Sequence, residues 1–308
     1  MNAALKSQSS TQISPPDQTN ESSSKTQSIR HKVMLYVLLL ICSFAVFLFG
    51  ANYTDLFPTN GNTAYAASVT TVFLITALIF KRSEKYSKYW QITYAFFVAS
   101  AVNLVSDLFA GYNTKFVQFF GMVTGANKTN AIGKLYDTLL VVIPILVLTL
   151  LSGANLRSLF LAKGNLNYKW GFGIGSLVLV NYFTSVLIFF GTGYELSKLG
   201  SVIVWGVVFA FCNSMLEELW VRGLFLKKLS PLIGVAGTVV LSSIWFGAMH
   251  FLSVAYLPAF AIPIFVINTF TMGLACSILM LKTDSIWGAY LIHAAADLFL
   301  FIATLAVH

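Results

Sequence analysis

Long apolar runs alternate along this chain with short breaks that hold most of its charge. A helix needs ~20 mostly apolar residues to cross a bilayer. Nine runs approach that length, near residues 33–51, 63–80, 90–111, 135–153, 171–191, 200–225, 232–252, 257–281 and 286–306. The second is short and the third is interrupted by polar groups, so the pattern predicts eight to nine spans. The expected fold class is all-α, a polytopic transmembrane helical bundle. Ahead of the first run, residues 1–30 are rich in Ser, Thr, Gln, Asn and Pro, with no apolar core before Val33. Such a segment is not a signal peptide, and it is expected to be a disordered polar tail.

The cations give the bundle a direction. Cytoplasmic loops of membrane proteins are enriched in Lys and Arg. With the N-terminus inside, the inner side collects Lys6, Lys25, Arg30 and Lys32, then Lys81, Arg82, Lys85 and Lys88. Arg157, Lys163, Lys169, Lys227, Lys228 and Lys282 follow on the same side. The outer side holds Lys115, Lys128, Lys134 and Lys198. Nine spans with a cytoplasmic N-terminus therefore alternate consistently. The stretch 112–134 departs from the pattern, with three Lys on the outer side, and it also carries Phe116, Phe119 and Phe120. It is expected to lie along the membrane surface.

Composition agrees with the span pattern. Of 308 residues, 57% are hydrophobic and 10% charged, against about 25% charged in soluble domains. A surface so poor in charge excludes an ordinary soluble enzyme. The net charge of +8 is scattered in short clusters, not laid out as a basic stripe, so no nucleic-acid partner is expected. Cys42, Cys212 and Cys276 each sit inside an apolar run without metal-ligand spacing and read as small apolar fillers.

Ionisable groups inside a span cost roughly 2.5–3.5 kcal/mol each even on the lower scales, yet several gather in the C-terminal runs. The sixth run contains Glu217, Glu218 and Arg222, the seventh His250 four residues after Phe246, and the ninth His293 and Asp297. Glu218 and Arg222 are i and i+4 on one helical face, as are His293 and Asp297. Glu217 points about 100° away from Glu218, free to face a different cavity. Taken singly, each group has a structural explanation as an ion pair or an interhelical hydrogen bond. Phe246 reads as packing. Asp107 and Asp137 read as groups near helix ends, Asn181 and Asn268 as interhelical glue, and Gly223 and Gly247 as sites of close helix approach. Three ionisable sites on nearby helices together mark a functional centre.

The series Glu217-Glu218…Arg222, Phe246…His250, His293…Asp297 resembles the motifs of the CAAX-processing and bacteriocin-processing family, also known as the Abi family, over roughly residues 199–306. The resemblance implies a glutamate-dependent intramembrane endopeptidase. Glu217 would activate water with help from His250, Glu218 and Arg222 would hold the site in shape, and His293 and Asp297 would stabilise the oxyanion. Asp297 stands where the family often has Asn, and a carboxylate must be protonated to donate. Alternatively, Asp297 accepts from His293 and orients it. No metal is favoured, since no His-Glu-x-x-His helix is present. A zinc ion, if bound, would draw on Glu217, His250 and His293.

The chain is expected to comprise the polar tail 1–30, transmembrane helices 31–198 of unassigned role and a protease-like core 199–308. Its partners would be the lipid bilayer and a membrane-associated protein or peptide, in CAAX-type processing or in bacteriocin maturation or self-immunity. The expected location is a bacterial plasma membrane. Two other classes compete. A catalytically silent scaffold or immunity protein would survive loss of Glu217. A proton-coupled transporter would show uptake dependent on it, although no internal repeat is visible.

Overall fold

The computed structural model describes residues 18–51, 61–120, 125–165, 168–190, 196–253 and 259–306. Among these residues the chain is all-helical, without a strand. The helices are α1 (Gln18–Ser43), α2 (Gly61–Arg82), α3 (Trp90–Phe109), α4 (Asn113–Phe119), α5 (Ala126–Leu151), α6 (Tyr168–Phe190), α7 (Leu196–Glu217), α8 (Leu226–Ser253), α9 (Ala261–Thr283) and α10 (Trp287–Ala306). The nine long helices fall on the nine apolar runs. Seven are long and apolar enough to cross a membrane within the described residues, and Trp287–Ile302 of α10 is a shorter apolar helix. The chain is an integral multi-pass membrane protein.

Helix ends depart from the sequence pattern in two places. α1 begins at Gln18, so the part of the polar tail from residue 18 is helical rather than disordered; residues 1–17 lie outside the described residues. The apolar span supplies the costly helix nucleus, and extending it backwards through Ser, Lys and Gln adds one bond per residue fixed. Within the stretch 112–134, the described residues form the short α4 and the first turns of α5. Asp137 consequently lies inside α5, 3.8 Å from Lys134 and 3.5 Å from Asn113 Nδ2. Phe119 and Phe120 are exposed.

Helices from both halves of the chain share one core. Phe47, Phe96, Trp220, Phe225 and Trp245 pack ring against ring with centroids 4.9–5.6 Å apart, a geometry favoured by aromatic quadrupoles. Trp220 Nε1 donates to Ala99 O at 3.2 Å, pinning the end of the sixth span to α3. Elsewhere Asn181 Nδ2 donates to Asn268 Oδ1 at 3.0 Å between α6 and α9. Gly247 faces Val266 and Phe270 of α9, and Gly223 faces the Leu159 carbonyl. Val72, Ile75, Leu78 and Ile79 of α2 stay exposed, which suits a surface solvated by lipid.

Candidate active site

The site is built where α7 leaves regular helix. After Glu217 the backbone widens into a π-turn over Glu218–Gly223, closed by Leu224 N–H to Leu219 O at 3.0 Å. A π-turn inserts an extra residue into the helical register and is frequent at functional sites. Glu218, Arg222 and their neighbours in this turn are all buried.

Glu218 is the anchor. Its Oε1 accepts from Arg222 Nη1 at 2.5 Å, with both side chains fully buried. The same oxygen lies 2.7 Å from His293 Nδ1 on α10. A carboxylate already paired with a guanidinium accepts, so His293 carries its proton on Nδ1. Its Nε2 is left facing Glu217 Oε2 at 3.5 Å and Asp297 Oδ1 at 3.6 Å. The Arg222 guanidinium also lies 4.1 Å from the centre of the Phe246 ring, and that ring meets His293 edge-on. Phe246 thus touches the Arg222 guanidinium and both imidazoles.

His250 enters from α8. Its Nδ1 donates to the Phe246 carbonyl at 2.8 Å, because a carbonyl can only accept. Nε2 is then the lone-pair nitrogen, 3.7 Å from Glu217 Oε2. Glu217 Oε2 is buried and makes no hydrogen bond among the described residues. Asp297 Oδ2 accepts from Asn213 Nδ2 at 3.0 Å.

The structure therefore brings Glu217, Glu218, Arg222, Phe246, His250, His293 and Asp297 into one cluster from three helices. Asp297 and His293 face each other only at 3.6 Å, while the close partner of His293 is Glu218. Sequence reasoning missed Asn213. Its signal was available, an amide four residues before Glu217 and so on the same face of α7. The groups named for a zinc ion, Glu217, His250 and His293, converge through one carboxylate oxygen at 3.5 and 3.7 Å. Among the described residues no group of three or more His, Cys, Asp or Glu is found placed to hold a metal ion.

Residues 199–299 match the family model described as Rce1-like, type II CAAX prenyl endopeptidase. The match covers about the C-terminal third of the chain. The matched segment contains every residue of the cluster. No curated protein and no solved structure matches the chain. The Rce1-like segment supports an intramembrane endopeptidase of the CAAX type, a hydrolase whose substrates are proteins at the membrane.

Proposed function

We propose that this protein hydrolyses peptide bonds of membrane-associated proteins or peptides with a water molecule activated by Glu217. One observation carries the reading: Glu217 Oε2 is buried without a hydrogen bond of its own and faces two imidazole Nε2 atoms. A water between Glu217 and His250 donates one hydrogen to Oε2 and the other to His250 Nε2. Its lone pair is then free to attack the scissile carbonyl carbon.

As the C–O bond forms, the water proton passes to Glu217, the general base. The carbonyl oxygen becomes an oxyanion, which needs donors aimed at it. His293 can donate from Nε2 only as an imidazolium, because its Nδ1 proton is held by Glu218; the Glu218 carboxylate compensates that charge. Asp297 donates as well when protonated. Collapse of the tetrahedral intermediate breaks the C–N bond, and the proton on Glu217 goes to the leaving amine. Glu218 and Arg222 act by positioning, through His293 and the π-turn. The alternation of Lys and Arg supports a cytoplasmic N-terminus.

Comparing protein termini tests the proposal, using membranes from cells that express either the wild type or Glu217→Ala at matched levels. New termini that appear only with the wild type are expected. Identical termini in both, together with rescue of a deletion by the variant, would leave a binding scaffold and remove the catalytic reading.

A further inference from the structure

The first three helices enclose a space that peptide hydrolysis does not use. α1, α2 and α3 diverge around a groove of about 430 Å³ with apolar walls that include Leu38, Leu39, Val72, Phe73 and Phe96. This volume is within the ~300–1,000 Å³ of small-molecule sites. Its mouth is polar: His31 and Tyr89 line it and hydrogen bond across it at 3.1 Å between Nε2 and Oη.

Cations concentrate around that mouth. Arg30 and Lys32 flank His31 on α1, Lys81 and Arg82 end α2, and Lys85 and Lys88 lie in the connection to α3, against one acid, Glu84. Lys85 Nζ lies 5.2 Å from the centre of the Tyr86 ring, and Lys88 Nζ 4.9 Å from that of Tyr89. Both tyrosines line the groove. Among the described residues Lys81, Lys85 and Lys88 rest on aromatic rings rather than on carboxylates. Setting topology requires only that such cations share one side of the membrane. It does not require them to converge on the end of an apolar groove.

We infer that this groove holds an acyl chain of an anionic phospholipid, whose headgroup phosphate sits at the mouth against His31, Tyr89 and the ammonium groups of Lys85 and Lys88. The chain fills the apolar walls, and the phosphate supplies the negative charge that this rim lacks. Basic pockets between transmembrane helices bind acidic lipid headgroups for this reason. The inference stands apart from the proteolytic reading, since none of these residues belongs to the Glu217 cluster.

The full chain is reconstituted into vesicles of equal parts phosphatidylcholine and phosphatidylglycerol and extracted in mild detergent. Retained phospholipid per protein is then measured by mass spectrometry. Phosphatidylglycerol should be enriched over its input share. Lys85→Gln and Lys88→Gln should each weaken retention about fivefold, the factor expected for one Lys near a lipid surface. Thr76→Phe, which fills the groove without changing charge, should abolish it. Added phosphatidylglycerol should raise the unfolding temperature of the wild type, less that of the Lys variants, and not that of Thr76→Phe. Retention of both lipids in the input ratio overturns the inference. So does phosphatidylglycerol retention that survives Thr76→Phe, which would reduce the effect to surface charge, and so does a wild type that retains no lipid.

Discussion

Glu218 Oε1 and His293 Nδ1 lie 2.7 Å apart across 75 residues of sequence, and this contact ties the π-turn to α10. Because the same oxygen also binds Arg222, one buried carboxylate sets both the guanidinium position and the histidine tautomer. A buried pair broken on one side leaves an uncompensated charge, at a cost of about 3–5 kcal/mol. Glu218→Gln and Arg222→Met should each lower the unfolding temperature in detergent strongly. The double variant should fall short of their sum, with a coupling of roughly 0.5–3 kcal/mol. Strict additivity would mean that the two side chains do not stabilise each other.

Glu217 differs from Glu218 in having no guanidinium partner; its Oε2 faces two imidazoles at 3.5 and 3.7 Å. Replacing it with Gln preserves volume and leaves the Glu218–Arg222–His293 group untouched, but it removes the base. Turnover should fall by about 10²–10⁴-fold with little change in unfolding temperature. A Glu217→Gln protein that keeps cutting at the wild-type rate would move the base elsewhere, and His250 would be the first group to examine.

Asp297 is held by Asn213 through Oδ2, which fixes its rotamer and leaves Oδ1 towards His293. Asp297→Asn can still accept from Asn213 with its amide oxygen and turn an N–H towards the reacting oxygen. It should retain turnover, whereas Asp297→Leu should lose about 10²–10³-fold, the cost of removing an oxyanion donor. Asn213→Leu should lower kcat while leaving KM near the wild type, since Asn213 acts through Asp297 and not on substrate. Equal loss in the Asn and Leu variants at position 297 would count against a donor role.

The bundle was legible because hydropathy over ~20 residues reports the bilayer directly. The cluster was legible because charge inside a span is costly and the spacing of Glu218–Arg222 and His293–Asp297 is helical. The π-turn over Glu218–Gly223 left no trace in the apolar pattern. It is a register shift imposed by packing, with Trp220 reaching Ala99 and Gly223 set against the Leu159 carbonyl. The i, i+4 spacing of Asn213 and Glu217 was visible, but the role of Asn213 was not. An amide inside a span reads as interhelical glue, as Asn181 and Asn268 do, until the helix that faces it is known.

A charge cluster between spans gives the last prediction. Asp284 caps α9 in the left-handed region, at φ 51°. Its carboxylate receives Lys227 Nζ at 2.5 Å and Arg157 Nη2 at 2.9 Å, joining the α9–α10 connection to the first turn of α8 and to the α5–α6 connection. The hydrogen bond from Lys227 leads the effects that hold its pKa below the ordinary 3.8, with Arg157 adding to it against a smaller effect of burial. A carboxyl group with a lowered folded-state pKa contributes stability above its unfolded value and loses it as pH falls through the folded one. The contribution of Asp284 should therefore be complete at neutral pH and disappear as pH drops below 3.8. Asn tolerates the left-handed backbone, so Asp284→Asn isolates the charge from the turn. The wild type should unfold at a higher temperature than Asp284→Asn at pH 7, and the gap should close under acid conditions. A gap of constant size across that range would assign the difference to backbone geometry rather than to the ion pairs.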